Sequence, residues 1–203
     1  MRLLYGTTNP AKLNSMKIAL EPIGIELIGL NELEGELPEI AEDGSEPIEN
    51  ARQKSVAYYK TFGIPVFSCD SGMYFVDEPN VMQPGTFVRR YTGVDMYDDD
   101  QLLKHYSGVA KANGGTIKTQ YINAVSLVLD KDTIIDHQGD DISSDPFLLS
   151  EKAHAKRVEG FPLDAISIDI ASGRYYYDLD AESVDVEKWQ RGMREFFTRH
   201  LRR

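Results

Sequence analysis

Apolar residues along this chain follow two rhythms: short unbroken runs, and longer stretches in which they return every three or four positions. The first run, residues 2–6, predicts a buried strand. Behind it Leu13, Met16 and Leu20 recur at helical spacing with Ala19 beside them. Thr8 or Asn9 suits the cap of that helix, Pro10 its first position and Gly24 its stop. Ile25 to Leu30 predicts a second strand. An acidic loop, Pro38 to Pro47, leads into a helix whose face carries Ile48, Ala51, Ser55, Tyr58 or Tyr59 and Phe62, ahead of Gly63. The segment 64–72, IPVFSCDSG, reads as a buried strand running into a polar turn.

Downstream, Asp98, Asp99 and Asp100 mark a helix start, where acids meet the positive end of the dipole, and Leu102, Leu103, Tyr106 and Val109 form its apolar side. Residues 116–138 predict a hairpin turning at Asp130-Lys131-Asp132. Further strands are expected within 161–177, and Val186, Trp189, Met193, Phe196 and Phe197 predict a closing helix. Strands alternating with helices favour an α/β fold, a mixed central sheet with helices on both sides. The expected organisation is one domain over residues 1–203, with a β-rich lobe at approximately 116–177.

Composition narrows the chemistry. The chain has 203 residues, 41% hydrophobic and 27% charged, enough for a packed core. A formal net charge of -11 argues against a grip on a nucleic-acid polymer, which needs a broad basic surface. A small anion is still accessible through local lysines, arginines, backbone amides or bound cations. No run approaches the ~20 apolar residues of a membrane span, and the start lacks a secretory leader, so no membrane and a cytoplasmic location are expected. One cysteine, Cys69, and four histidines leave no internal disulfide and few zinc ligands.

Four segments carry candidate chemistry. The turn between the first strand and helix exposes backbone N–H groups at a positive dipole end, and Thr7, Thr8, Asn9 and Lys12 add donors and charge suited to phosphate. The same residues also fit a capped helix with a solvated lysine. Glu42 is the first-choice Mg²⁺ ligand and Glu49 a possible second, because Mg²⁺ takes one or two carboxylates besides waters and phosphates. Each also fits a plain role, Glu42 in a solvated loop and Glu49 in a helix's first turn. Lys54, five positions after Glu49, is poorly placed to pair with it and is left free to point at phosphate. Asp70, at the end of a strand, suits metal binding or activation of water, or the hydrogen bonds of its own turn. Arg89 and Arg90 beside Tyr91 suit a phosphate clamp, an interface or exposed ion pairs. Cys69 reads as a small filler.

In this order the segments resemble the Ham1 family of nucleoside triphosphate pyrophosphatases, also called inosine triphosphatases. The family's Thr-Gly-Asn-x-x-Lys is matched by Thr7-Thr8-Asn9-Pro10-Ala11-Lys12, with threonine for glycine. Its Glu-x-Gly and Glu-Asn-Ala-x-x-Lys elements match Glu42-Asp43-Gly44 and Glu49-Asn50-Ala51-Arg52-Gln53-Lys54. Asp70-Ser71-Gly72 matches its Asp-Ser-Gly, and Pro84-Gly85 with Arg89-Arg90-Tyr91 resembles its Pro-Gly and Ala-Arg-Tyr. The match is strong to about residue 93. Beyond it, Gly160-Phe161-Pro162-Leu163-Asp164 keeps three residues of Gly-Phe-Gly-Tyr-Asp, and Arg191 is the nearest counterpart of the arginine in Ser-His-Arg.

The resemblance implies an elongated α/β fold with two lobes around a cleft, commonly a homodimer, with Phe87 and Tyr91 as interface candidates. It implies Mg²⁺-dependent hydrolysis of non-standard (d)NTPs to (d)NMP and pyrophosphate. Mg²⁺ would be held by Glu42 and Asp70, with Glu49 as a third ligand, and Asp70 would orient or deprotonate water. Lys12, Lys54 and Arg89 or Arg90 would offset phosphate charge, with Ser71 beside them. Phe161 and Asp164 would face the base, whose identity is open because that half diverges; the same two residues equally fit a core phenylalanine and a turn aspartate. Two other readings fit the same residues: a nucleotide sensor that does not cleave, and a Mg²⁺-dependent phosphatase releasing orthophosphate.

Overall fold

The structure, a computed structural model, describes residues 2–78, 81–93, 96, 98–158, 160–179 and 186–201. Its seven strands are β1 (Arg2–Tyr5), β2 (Glu26–Gly29), β3 (Val66–Phe75), β4 (Thr116–Asp130), β5 (Thr133–Gln138), β6 (Phe147–Ser150) and β7 (Ser167–Asp169). Four α-helices accompany them: α1 (Pro10–Leu20), α2 (Pro47–Phe62), α3 (Asp99–Ala112) and α4 (Val186–Leu201). The sheet is mixed and open, in the order β2-β1-β3-β4-β6-β7, with β5 paired to β4 off that path.

The chain divides into two units. The first comprises residues 1–71, 122–143 and 188–203, and the second 72–121 and 144–187, so β3 and β4 each contribute to both. In the first unit β1 lies parallel to β2 and to β3, while the far half of β4 runs antiparallel to β5. Parallel neighbours need a crossover, which α1 and α2 supply. Leu3, Tyr5, Met16, Leu20, Phe67, Leu127 and Phe197 are buried together in one cluster, and Leu4, Tyr58, Val66 and Val128 in another. Tyr5 stacks on Phe67 at 4.6 Å, and Phe197 meets Phe67 edge-on.

In the second unit the near half of β4 pairs antiparallel with β6, and β6 with β7. Met73, Phe75, Tyr106, Ile117, Phe147 and Leu149 are among its core residues, with α3 contributing Leu102, Leu103 and Ala110. Asp98 caps α3 through the Asp100 N–H, as the acidic triplet predicts.

Several local expectations change. The Asp70-Ser71-Gly72 segment is not a turn; β3 runs through it to Phe75, because Asp70 finds its partners on α2 and Met73 and Phe75 are buried beyond it. Residues 161–177 hold only one strand, β7, flanked by 3-10 turns at Pro162–Ile166 and Tyr176–Asp178. Of the stretch read as a β-rich lobe, residues 122–143 cluster with the first unit. In α4, Trp189, Met193, Phe196 and Phe197 pack as expected, while the Val186 side chain lies outside the described residues.

Candidate functional site

The loop after β1 is pinned from below. Gly6 N–H donates to the Phe67 carbonyl at 2.8 Å and Thr7 N–H to Tyr5 at 2.8 Å. A Cβ on Gly6 would stand 2.2 Å from Ser68 Oγ and 2.6 Å from the Tyr58 ring, so the backbone can lie this close only as glycine. Asn9 is the cap: its Oδ1 accepts from the N–H groups of Ala11 at 2.9 Å and Lys12 at 3.2 Å. Thr7 Oγ1 accepts from Asn9 N–H at 3.2 Å, and Thr8 is exposed. Pro10 opens α1, which places Lys12 in the first helical turn.

The second wall is the acidic turn ahead of α2. Glu42 adopts φ +45°, a conformation that costs a non-glycine residue free energy. Two residues on, Gly44 N–H donates to Asn50 Oδ1 at 2.8 Å. A Cβ on Gly44 would lie 2.7 Å from that same oxygen. α2 starts at Pro47, and the Glu49 carboxylate accepts from the Ser45 N–H at 2.7 Å, Ser45 Oγ at 3.0 Å and Glu46 N–H at 3.3 Å. Those bonds, the hydroxyl first, hold its carboxyl below the ordinary range. Gly63, at φ +65°, ends the helix.

Asn50 and Lys54, one turn apart on the buried face of α2, reach β3 and the acidic turn together. Lys54 Nζ donates to Asp70 Oδ1 at 2.6 Å and to Glu42 Oε2 at 3.0 Å. Asn50 Nδ2 donates to Asp70 Oδ2 at 3.2 Å. Lys54 and Asp70 side chains are only 11% and 14% exposed, Glu42 43%. Burial pulls the Lys54 ammonium down, but Asp70 and then Glu42 outweigh it and the net shift is upward.

Lys12 belongs to the same electrostatic neighbourhood. Its ammonium is lowered first by loss of solvent around the head group and then by repulsion from Lys54, with Asp70, Cys69 and Glu42 opposing. The residue keeps surface exposure, so the lowering by burial is smaller than for an enclosed ammonium. One ammonium, Lys54, is shared by two carboxylates. Cys69 is half-buried; burial pushes its thiol up to about 12, and Tyr5 hydrogen-bonds it.

Lys54 is not left unpaired as its spacing from Glu49 suggested: its ammonium meets Glu42 and Asp70, 12 and 16 positions away in the chain. Glu49 is not brought to Glu42 and Asp70 but closes the start of α2. Ser71 is half-buried on β3, and Arg191 is exposed on α4. In the second unit Arg89 donates to Asp99 at 2.6 Å and to the Met96 carbonyl, and Arg90 lies over the Phe87 ring. Tyr91 is buried, its hydroxyl on the Met82 carbonyl, which removes it from any exposed interface; Phe87 is 37% exposed. Asp164 lies in the middle of the 3-10 turn Pro162–Ile166, and burial raises its carboxyl to about 6. The carbonyl of Phe161 accepts from Tyr177, whose hydroxyl is raised by burial and by Asp164. Sequence reading assigned no role to Asn50, although a polar residue on a helix face shared with Ala51 and Lys54 is a signal for buried hydrogen bonding.

Glu42 and Asp70 supply hard oxygen donors within reach of a single ammonium, a set that fits Mg²⁺ better than a softer metal. Among the described residues no three His, Cys, Asp or Glu side chains gather as a ready metal cage. Mg²⁺ does not need one, since waters and substrate phosphates complete its shell.

An open mixed sheet, a strand-to-helix loop capped by Asn9 and a carboxylate-lysine cluster define an α/β protein. Solved structures share this fold: the Staphylococcus aureus Ham1 protein superposes with a TM-score of 0.74 over 100% of both chains at 18% identity. A HAM1 protein from Coxiella burnetii gives 0.75 over 98% of this chain and 99% of that one at 20% identity. The Ham1 family model matches residues 3–140, and the chain belongs to the Ham1 family. Among sequence relatives, a dITP/XTP pyrophosphatase of Desulfotalea psychrophila is 33% identical over 111 residues, 52% of this chain and 48% of that protein. One of Clostridium tetani is 30% identical over 146 residues, 68% of each. The chain spans about half the length of the first of these relatives.

Proposed function

We propose that the chain is a nucleoside triphosphate pyrophosphatase acting on non-standard (d)NTPs, with (d)NMP and pyrophosphate as products. The observation that carries this reading is the Lys54 bridge between Glu42 and Asp70. Relatives bearing the name dITP/XTP pyrophosphatase support it.

In this reading the N–H groups at the start of α1, with Thr7, Thr8 and Lys12, hold phosphate oxygens. Asp70, fixed at both oxygens, orients a water and takes its proton, and Ser71 adds a donor next to it. Lys54 turns its charge from the carboxylates toward the departing pyrophosphate. Glu42 and Asp70 would hold Mg²⁺, which supplies neutralisation of phosphate charge. Glu49 serves the site by closing α2. Phe161 and Asp164 are the candidates for the base, and Arg89, Arg90 and Arg191 are secondary candidates for phosphate. A cytoplasmic homodimer completes the proposal. Among the described residues no helix is long and apolar enough to cross a membrane.

The test is product identification from dITP, XTP and the four common dNTPs with Mg²⁺, using Asp70→Asn as control. Pyrophosphate with a monophosphate, abolished by the substitution, is expected. Orthophosphate would instead mark a phosphatase, and thermal stabilisation by triphosphate without product would mark a sensor.

A further inference from the structure

Two side chains of α2 tie the acidic turn to β3, and they are unlike in kind. Lys54 is a charge, and its ammonium has alternatives once a triphosphate arrives. Asn50 is neutral, 2% exposed, and satisfied on both sides: Oδ1 by the Gly44 N–H at 2.8 Å, Nδ2 by Asp70 Oδ2 at 3.2 Å. Its orientation is fixed by chemistry, since the Gly44 N–H can only donate and therefore faces the oxygen. No side chain fits at Gly44, whose Cβ would lie 2.7 Å from Asn50 Oδ1 and from Glu49 Cβ. Glu42, two residues before this anchor, is held at φ +45°, a conformation that persists only when its surroundings enforce it.

We infer that Asn50 is a positioning residue that fixes Asp70 and the Glu42 turn relative to each other, and keeps them fixed when Lys54 exchanges carboxylate for phosphate. The inference rests on the pyrophosphatase reading for its effect on turnover, while the tie itself is independent of that reading. A side chain that packed the site without these bonds would fill the volume and leave the carboxylates to find their own places.

Asn50→Asp keeps the acceptor for Gly44 N–H and replaces the amide donor to Asp70 with a second carboxyl, which repels Asp70 when ionised; Asn50→Leu deletes both bonds at similar volume. Amide hydrogen exchange in the nucleotide-free chain reads the tie: Gly44 is expected to exchange at least tenfold faster in Asn50→Leu and within threefold of the parent in Asn50→Asp. Steady-state hydrolysis of dITP reads the consequence, and kcat is expected to fall at least tenfold in both variants with KM changed less than threefold. A purely structural asparagine would lower melting temperature and leave kcat of folded Asn50→Asp intact, which would overturn the proposal. So would unchanged Gly44 exchange in Asn50→Leu; should that variant not fold, the kcat of Asn50→Asp decides. If the parent chain releases no pyrophosphate, the enzymatic reading falls and Gly44 exchange alone decides the role of Asn50.

Discussion

The ammonium of Lys54 stands 2.6 Å from Asp70 Oδ1, and both side chains are largely buried. A close buried pair is a weak source of net stability when intact but costly to break, because the surviving charge has lost its partner. Lys54→Met should therefore destabilise the fold by about 1–3 kcal/mol, discounted from a fully buried pair because Glu42 is open to solvent. At this chain length that is a fall in melting temperature of roughly 2–10 °C. Adding Asp70→Asn should restore most of the melting temperature while turnover stays absent. A Lys54→Met protein that melts with the parent would show the bridge to be idle.

Gly6 offers a sharper geometric test. A methyl added there would stand 2.2 Å from Ser68 Oγ and 2.6 Å from the Tyr58 ring, and both residues are buried. Gly6→Ala is expected to push the loop after β1 off β3, at a cost of about 1–3 kcal/mol. The expected result is a lower urea midpoint together with weaker triphosphate binding. Unchanged affinity in a destabilised variant would separate the loop from the ligand.

The parts of this site legible in the sequence are those set by neighbours in the chain. Asn9 as cap, Pro10 as first helical residue and Gly63 as stop follow from local chemistry, and so do the acidic start of α3 and the turn at Asp130–Asp132. Lys54 was misleading because helix spacing compares it only with Glu49, whereas its partners come from a loop and a strand. Asp-Ser-Gly looks like a turn from composition alone; it continues as strand since α2 satisfies Asp70 from the side. β6 is four residues long and β7 three, too short for a period to register, so both are set by pairing rather than by pattern. Arg89 carries no mark in sequence of the Asp99 carboxylate it meets.

Cys69 gives a test of how closely the site is packed. Burial raises its thiol to about 12, so at pH 8 the thiolate is rarer than in an exposed cysteine by about a thousandfold. Native protein is expected to resist alkylation at that pH, with full labelling only after unfolding in urea. Rapid native labelling would mean that β3 opens at this position far more readily than its buried neighbours imply.

Asp164 predicts an inverted pH response. Its carboxyl is raised by burial from 3.8 to about 6, so the folded chain holds the proton more tightly than the unfolded chain across that interval. The stability supplied by the neutral carboxyl is complete below its unfolded value and is lost as pH rises through about 6. Above pH 7 the parent protein carries the whole cost of a charge in a mostly buried place, at most about 3 kcal/mol and less with partial exposure. Asp164→Asn has no charge to desolvate and should melt higher than the parent at pH 7.5, with the difference closing near pH 4. Thermal melts at the two pH values decide it: an offset of the same size at both would assign the change to packing and remove the carboxyl's charge from the account.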